Sequence, residues 1–328
     1  MTYREKKQLY LLLTQRMDAR QWNKAIEAAD ALRQAGVTDR TMFQAILAAY
    51  IDGGDAARAK AAGQEYQQRF PLDGVSRFYL GRVAFMNGDW ETAETQFKEA
   101  LADKTLTGWY RGAVHSILAT LYRQTARGQE AAGQYLESAR YKDLEHGKAT
   151  EYSNYLFNLH YLDKPQEFMR QAAERYGQLL AQIPQYRHEK RRSSSPKIRI
   201  GYISPDLHFH VVAFFSYAFL HDYDKRRFEV FCYTDCEEDN ASREFAAMVD
   251  HWQNVRGLPD EKVAEIVYKD KLDILVDLTG HTAWGFLQTM AYRPVPVQVS
   301  GIGYFDTTGL PAIDYFLADH YTDPPEND

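Results

Sequence analysis

The chain has 328 residues, of which 45% are hydrophobic, with a net charge of −6 and two cysteines. That length suggests about two domains, and the apolar share is enough to bury a core. The acidic balance excludes bulk attraction to nucleic acid, no apolar run approaches the roughly 20 residues of a membrane span, and Cys232 and Cys236 cannot found a disulfide framework.

The N-terminus, MTYREKKQLY, has no apolar segment of the kind that marks a secretory signal. With two reduced thiols, a cytoplasmic location is expected. The first half reads as repeated helices. Ala25 lies in WNKAIEAADAL, Ala59 in DAARAKAAGQEY and Ala93 in DWETAETQFKEAL, and both spacings, 59 − 25 and 93 − 59, are 34 residues. That is the tetratricopeptide (TPR) period. Leu80-Gly81 with Ala93, Phe97 and Ala100, and Tyr50 with Pro71, fall on the same pattern. The small residues are physically required, because the two helices of a unit cross closely. Ala119, Tyr122, Ala131 and Tyr135 anchor a fourth unit. Its offset, 131 − 93, is 38, so four residues are inserted, expected at Lys104–Tyr110. Residues 1–150 are read as a TPR solenoid. Such a stack either receives an acceptor peptide in its groove or only supports a neighbouring domain. A homodimer through the repeats is a further partner expectation.

Residues 151–196 are read as joining helices, Tyr152–Leu162 and Pro165–Ile183, followed by a polar basic linker at Arg187–Pro196. From Lys197 the period changes. Strands are expected at Ile198–Ile203, Phe228–Tyr233, Ile274–Leu278, Val297–Ile302 and Tyr315–Ala318. Helices are expected at Val212–Asp222, Ser242–Asp250, Asp260–Lys269 and Trp284–Ala291. The alternation predicts a Rossmann-like parallel sheet over 197–328 with helices on both faces. The fold class is thus α plus α/β. Neither GxGxxG nor GxxxxGK[ST] occurs.

Three polar clusters end strands: Ser204–His210, Asp277–Thr282 and Gly301–Gly309. In a parallel sheet all three emerge on one edge, where ligands bind. Gly280, Gly303 and Gly309 would let backbone approach a ligand. Helices beginning near Thr282 and Val211 would aim amides at an anion such as a phosphate. His208, His210 and His281 could each serve as a general base or be satisfied inside the fold. His-x-His on a turn lacks a third nearby ligand, so a metal site is not expected.

In the order TPR repeats, SNYLFNLHYL, KIRIGYISPDLHFHVVAFF, DILVDLTGHT and RPVPVQVSGIGYFDTTGLPAIDYFLAD, the chain resembles the O-linked N-acetylglucosamine transferase and SPINDLY group of protein glycosyltransferases. The resemblance runs from about Ser153 to the last residue. It implies the first half of a GT-B fold and a metal-independent, inverting transfer of GlcNAc from UDP-GlcNAc to Ser or Thr of a protein, with no cofactor beyond that donor. The histidine of the SPDxxxH pattern falls on His210, the expected catalytic residue. Expected substrate-binding residues are Asp206, Gly280, His281, Thr282, Gly303, Tyr304, Thr307 and Thr308. Phe305-Asp306 replace the family's Pro-Gly, and Gly301 stands where the family shows Trp. The chain stops at TDPPEND, where the first lobe of such a fold ends. The second lobe, with most nucleotide contacts and the lysine that meets the leaving diphosphate, is expected to be missing and the chain alone inactive. The alternatives are a non-catalytic TPR peptide-binding adaptor and a SPINDLY-type O-fucosyltransferase using GDP-fucose.

Overall fold

A computed structural model describes residues 1–144, 147–188 and 195–323. Residues 189–194 of the expected linker, and 324–328, lie outside the described residues. The chain forms two compact units, Met1–Lys142 and Asp143–Asp328. Among the described residues no helix is long and apolar enough to cross a membrane.

The first unit consists of paired helices: α1 (Tyr3–Asp18) with α2 (Trp22–Gln34), α3 (Arg40–Asp52) with α4 (Ala56–Arg69), α5 (Gly74–Met86) with α6 (Trp90–Ala102), and α7 (Gly108–Gln124) with α8 (Gly128–Arg140). Ala25, Ala59, Ala93 and Ala131 are all fully buried where the helices of each pair cross. At Gly81 a methyl group would lie 2.6 Å from the Phe97 ring, so α5 and α6 approach as only glycine allows. Helix starts repeat too. The carboxylates of Asp39, Asp55, Asp73 and Asp89 each accept the backbone N–H three residues on, capping α3 to α6.

The first helix of each pair ends in a left-handed residue, the usual way to turn a chain out of a helix. These are Arg20 (φ 51°), Gly54 (φ 81°), Gly88 (φ 74°) and Ala126 (φ 58°). The four inserted residues extend the start of α7, which begins at Gly108, within the expected Lys104–Tyr110, and has 17 residues where α5 has 13. Four residues are about one helical turn, so the pairing face is preserved.

The second unit opens with α9 (Lys148–Leu159) and α10 (Gln166–Leu180). A sheet follows, formed by β1 (Ile198–Ile203), β2 (Phe228–Thr234), β3 (His251–Asn254), β4 (Ile274–Asp277), β5 (Val297–Gly301) and β6 (Tyr315–Leu317). Between the strands run α11 (Val211–His221), α12 (Asn240–Met248), α13 (Asp260–Lys269) and α14 (Leu287–Ala291). The order is β3-β2-β1-β4-β5-β6 and every pairing is parallel. This is a Rossmann-like lobe, and the order reverses between β1 and β4. Strand β3 has no counterpart among the expected strands. It is a four-residue edge strand, HWQN, largely exposed, and carries no apolar run.

Sheet residues Ile200, Tyr202, Val230, Cys232 and Val276 pack with Val212, Ala213 and Leu220 of α11 and Phe245 of α12. Both cysteines are buried and unpaired, and burial pushes the Cys232 thiol well above its ordinary range. Helix α10 reaches the sheet edge at Gly177, where a methyl group would lie 2.1 Å from the Gly309 carbonyl oxygen.

Two substitutions check this packing. Ala126→Gly should stabilise the first unit by about 0.5–1 kcal/mol, because an L-residue in the left-handed region is strained. Gly177→Ala should destabilise the second unit by about 1–3 kcal/mol, because backbone faces the added carbon. Urea unfolding of each variant reads both. No gain at Ala126, or no loss at Gly177, would contradict the geometry.

Candidate active site

Three loops leave the sheet side by side. Ile203 pairs with Asp277, and Asp277 with Ser300, so the ends of β1, β4 and β5 are level. Their loops therefore share one edge beside the point where strand order reverses, which is where α/β sheets bind ligands.

Asp277 ties the loops together. It is completely buried at the end of β4. Its carboxylate accepts the N–H of Thr279 (3.1 Å) and Gly280 (2.9 Å) and the Ser300 hydroxyl of β5 (2.8 Å). Burial pushes its pKa up to about 6 against these bonds, and the charge of Asp206 adds to the push. Thr279 donates its hydroxyl to Ser204 Oγ (3.1 Å), joining the loop after β4 to the loop after β1. Sequence reasoning did not assign Asp277 or Ser204. A lone Asp closing the apolar run Ile274–Asp277 before a Thr-Gly turn was the available signal.

The loop after β1 carries the open chemistry. Asp206 donates its N–H to Ser204 Oγ (3.0 Å). Burial raises its carboxyl pKa, while His210 and His208 pull it down. His210 is the N-cap of α11. Its Nδ1 accepts the Val212 N–H (3.3 Å) and lies 3.8 Å from Asp206 Oδ1. Its side chain is 42% exposed. Accepting the Val212 N–H needs a lone pair on Nδ1, so the ring proton sits on Nε2 and the ring donates outward. For Nε2 to take a proton, the ring must carry its proton on Nδ1 instead, giving up the Val212 bond for the Asp206 carboxylate. His208 lies 4.0 Å from Asp239, whose carboxylate also accepts the Phe209 N–H (2.9 Å). The N–H groups of Ser242 and Phe209 hold Asp239 below the usual carboxylate range.

The histidine of the second loop has a different environment. His281 is 1% exposed. Its Nε2 donates to the Thr308 carbonyl (2.9 Å) of the third loop, and its Nδ1 accepts the Ser153 hydroxyl (2.9 Å) of α9. Tyr176 of α10 meets the ring edge-on, with centroids 4.5 Å apart. Burial lowers its pKa to about 4, so it is neutral at physiological pH. Both nitrogens are occupied within the fold, and no face is left for a ligand. Tyr304 is buried as well, with its hydroxyl 2.9 Å from His160 Nε2 at the end of α9.

The glycines serve these loop contacts rather than a ligand. At Gly280 (φ 58°) a methyl would lie 2.4 Å from Tyr304 Cβ. At Gly303 it would lie 2.2 Å from the Leu278 carbonyl, and at Gly309 2.0 Å from that of Ala173. Nor does a helix begin at Thr282. That residue sits in a turn, its hydroxyl donating to the Thr279 carbonyl (2.9 Å), and α14 starts at Leu287 with five residues. The amide terminus expected at Val211 is present, capped by His210. Thr307 is exposed, and its Oγ1 accepts the Gly309 N–H (3.2 Å). Thr308 is buried, and its Oγ1 accepts the Leu310 N–H (3.3 Å). Of the expected site residues, Thr307 is exposed and His210 half-exposed, while Asp206, Thr282 and Gly303 are partly buried. His281, Tyr304 and Thr308 form the layer beneath. Among the described residues no three His, Cys, Asp or Glu side chains converge as metal ligands do.

Residues 168–328 match the family described as Glycosyl transferase family 41. A rice protein described as a probable UDP-N-acetylglucosamine–peptide N-acetylglucosaminyltransferase SPINDLY is 39% identical over 181 residues, covering 53% of this chain and 20% of that one. The Arabidopsis thaliana SPINDLY protein is 45% identical over 134 residues, 39% of this chain and 15% of its own length. The chain thus spans a fifth or less of these relatives. Among solved structures, a mutant O-GlcNAc transferase of Thermobaculum terrenum shares the fold, with a TM-score of 0.72 at 24% identity, covering 89% of this chain and 56% of that one. Residues 168–328 are thus similar to the family 41 glycosyltransferases of the O-GlcNAc-transferase and SPINDLY group.

Proposed function

We propose that the second unit supplies the acceptor-side wall of a protein O-glycosyltransferase. It acts in the metal-independent, inverting transfer of GlcNAc from UDP-GlcNAc to Ser or Thr, as one half of a GT-B cleft. The observation that carries this is the open Asp206–His210 pair at the strand-order reversal, on a wall where three loops are bonded together. The acceptor hydroxyl oxygen bonds to the anomeric carbon, and its proton passes to His210 Nε2. The bond from that carbon to the diphosphate oxygen breaks, and its electron pair leaves with the diphosphate. Taking that proton requires the ring to exchange its Val212 N–H bond for an Nδ1–H donated to Asp206, which is the state able to accept. Thr307 presents a hydroxyl at the rim, while Gly280, Thr282 and Gly303 shape the wall. The acceptor polypeptide is received by the helical repeats, whose stacked pairs offer a continuous surface. A cytoplasmic setting accords with two reduced thiols.

The loops Ser204–His210, Leu278–Thr282 and Ile302–Gly309 contain no Lys or Arg. Charge building on a departing diphosphate must be met from elsewhere. Residues 1–328 alone should therefore show little or no turnover with UDP-GlcNAc, or with GDP-fucose, and a Ser/Thr peptide. Robust transfer would refute this. In an active enzyme containing these residues, His210→Ala should lower kcat by about 10²–10⁴-fold. Asp206→Asn should lower it less and shift the pH–rate profile. Unchanged rates for His210→Ala would remove it from the mechanism.

We assign His281 a positioning role, and its charge state gives that role a pH signature. Its folded pKa of about 4 lies below the ordinary 6.5. The unfolded chain takes the proton first, so this contribution is whole above pH 6.5 and is lost as pH falls toward 4. Asp277 has the opposite sign, raised from 3.8 to about 6, so acidification across that range favours its folded state. Comparing wild type with His281→Gln isolates the histidine. The stability gap between them should narrow by about 3 kcal/mol from pH 7 to pH 4. A gap independent of pH, measured by urea unfolding, would show that the ring charges freely in the fold.

A further inference from the structure

Residues 304–308, in the loop after β5, read Tyr-Phe-Asp-Thr-Thr, with neither proline nor glycine to preset a turn. Three consecutive side chains of this stretch meet one ring instead, that of His160, which caps the end of α9. The Tyr304 hydroxyl lies 2.9 Å from His160 Nε2. The Phe305 ring meets the imidazole edge-on, with centroids 4.6 Å apart. Asp306 Oδ2 lies 3.7 Å from the same Nε2. The other oxygen of that carboxylate, Oδ1, accepts the Thr307 N–H (2.6 Å). One carboxylate thus links His160 to the threonine at the rim of the site.

Nε2 cannot accept from Tyr304 and donate to Asp306 at once. Tyr304 is buried, and a buried phenol needs an acceptor for its proton. A neutral ring protonated on Nδ1 offers Nε2 as that acceptor. In that state the Asp306 carboxylate has no proton to receive and stays outside hydrogen-bond range. Protonation reverses the pairing. Both ring nitrogens then donate, the Tyr304 hydroxyl loses its acceptor, and the carboxylate is drawn onto Nε2–H in a charge-assisted bond. Because Oδ1 holds the Thr307 N–H, Thr307 moves with it. Burial lowers the His160 pKa, and the Asp306 charge opposes that. His281 also faces Tyr304, with ring centroids 5.2 Å apart, and burial keeps it neutral down to about pH 4.

We propose that His160 is the positioning residue of this loop: neutral, it holds Tyr304 and keeps the loop in the form described, and protonated, it releases Tyr304, takes Asp306 and shifts Thr307. This deepens the glycosyltransferase reading by making the presentation of Thr307 depend on pH, and it rests on that reading for its effect on transfer. The exchange of partners itself is read without turnover.

The test is NMR on residues 1–328, following the His160 ring nitrogens and the amides of Phe305, Asp306 and Thr307 from about pH 8 to about pH 4.5. Ring and amides should titrate together, with one midpoint below the ordinary 6.5. Tyr304→Phe removes the group served by the neutral ring and should raise that midpoint by about half a pH unit or more. Asp306→Asn removes the group served by the charged ring and should lower it by about as much. His160→Gln keeps an acceptor for Tyr304 and cannot charge, so the loop amides should hold their high-pH positions throughout. Amides that do not follow the ring, midpoints that move the same way in both variants, or loop amides that still titrate in His160→Gln would overturn the proposal. So would a ring that carries its proton on Nε2 at neutral pH. In an active enzyme containing these residues, KM for a Ser/Thr peptide should rise about threefold or more in acid with the same midpoint, and His160→Gln should remove that rise. A rise that His160→Gln leaves intact would overturn the link to transfer. His210→Ala with an unchanged rate, beside a loop that still follows His160, would sink the glycosyltransferase reading alone.

Discussion

The buried carboxylate of Asp277 is the constraint on which the second unit's edge depends. A charge at the end of β4, out of water, is costly unless donors surround it. Two backbone N–H groups of the following turn and the Ser300 hydroxyl of the next strand supply them. Meeting that need fixes the turn after β4, draws β5 into register, and presents Thr279 to Ser204 in the loop after β1. Three loops that share an edge by topology become one wall by hydrogen bonding.

The second layer follows from the first. Once the turn at Thr279-Gly280 is fixed, His281 points inward, where burial keeps it neutral. A neutral ring has one donor and one acceptor nitrogen. Here the donor takes the Thr308 carbonyl and the acceptor takes the Ser153 hydroxyl. That ties the third loop and helix α9 to the second loop. Gly280, Gly303 and Gly309 sit at these contacts because a side chain there would collide with neighbouring protein. The loop after β1 sets a histidine beside a carboxylate, so proton-transfer chemistry on this wall concentrates at Asp206 and His210.

Much of this was legible in the sequence, and the misses have physical causes. The 34-residue alanine spacing and the shift to strand–helix alternation at Lys197 are patterns of burial, which sequence reports directly. Strand β3 was invisible because an edge strand needs no apolar run. The insertion was placed at Lys104–Tyr110, and it adds one turn to the start of α7 there. The histidines show the clearest limit. His210 and His281 both follow a strand and look alike on paper. One caps a helix at the surface and the other is sealed under Tyr176 and Tyr304. The difference is set by residues over a hundred positions away, such as Ser153, which no local motif contains. The apolar run of α11 was read only as a helix, since composition does not say which side of a hydrophobic helix is covered.

The central claim is that the three loops are locked into one wall through neutral, doubly bonded His281. Nitrogen NMR of the imidazole rings tests it most directly. The account predicts that at pH 5.5 the His281 ring is neutral, in a single tautomer protonated on Nε2, with its proton slow to exchange. A His281 ring that is largely protonated at that pH, or that averages between tautomers, would contradict it.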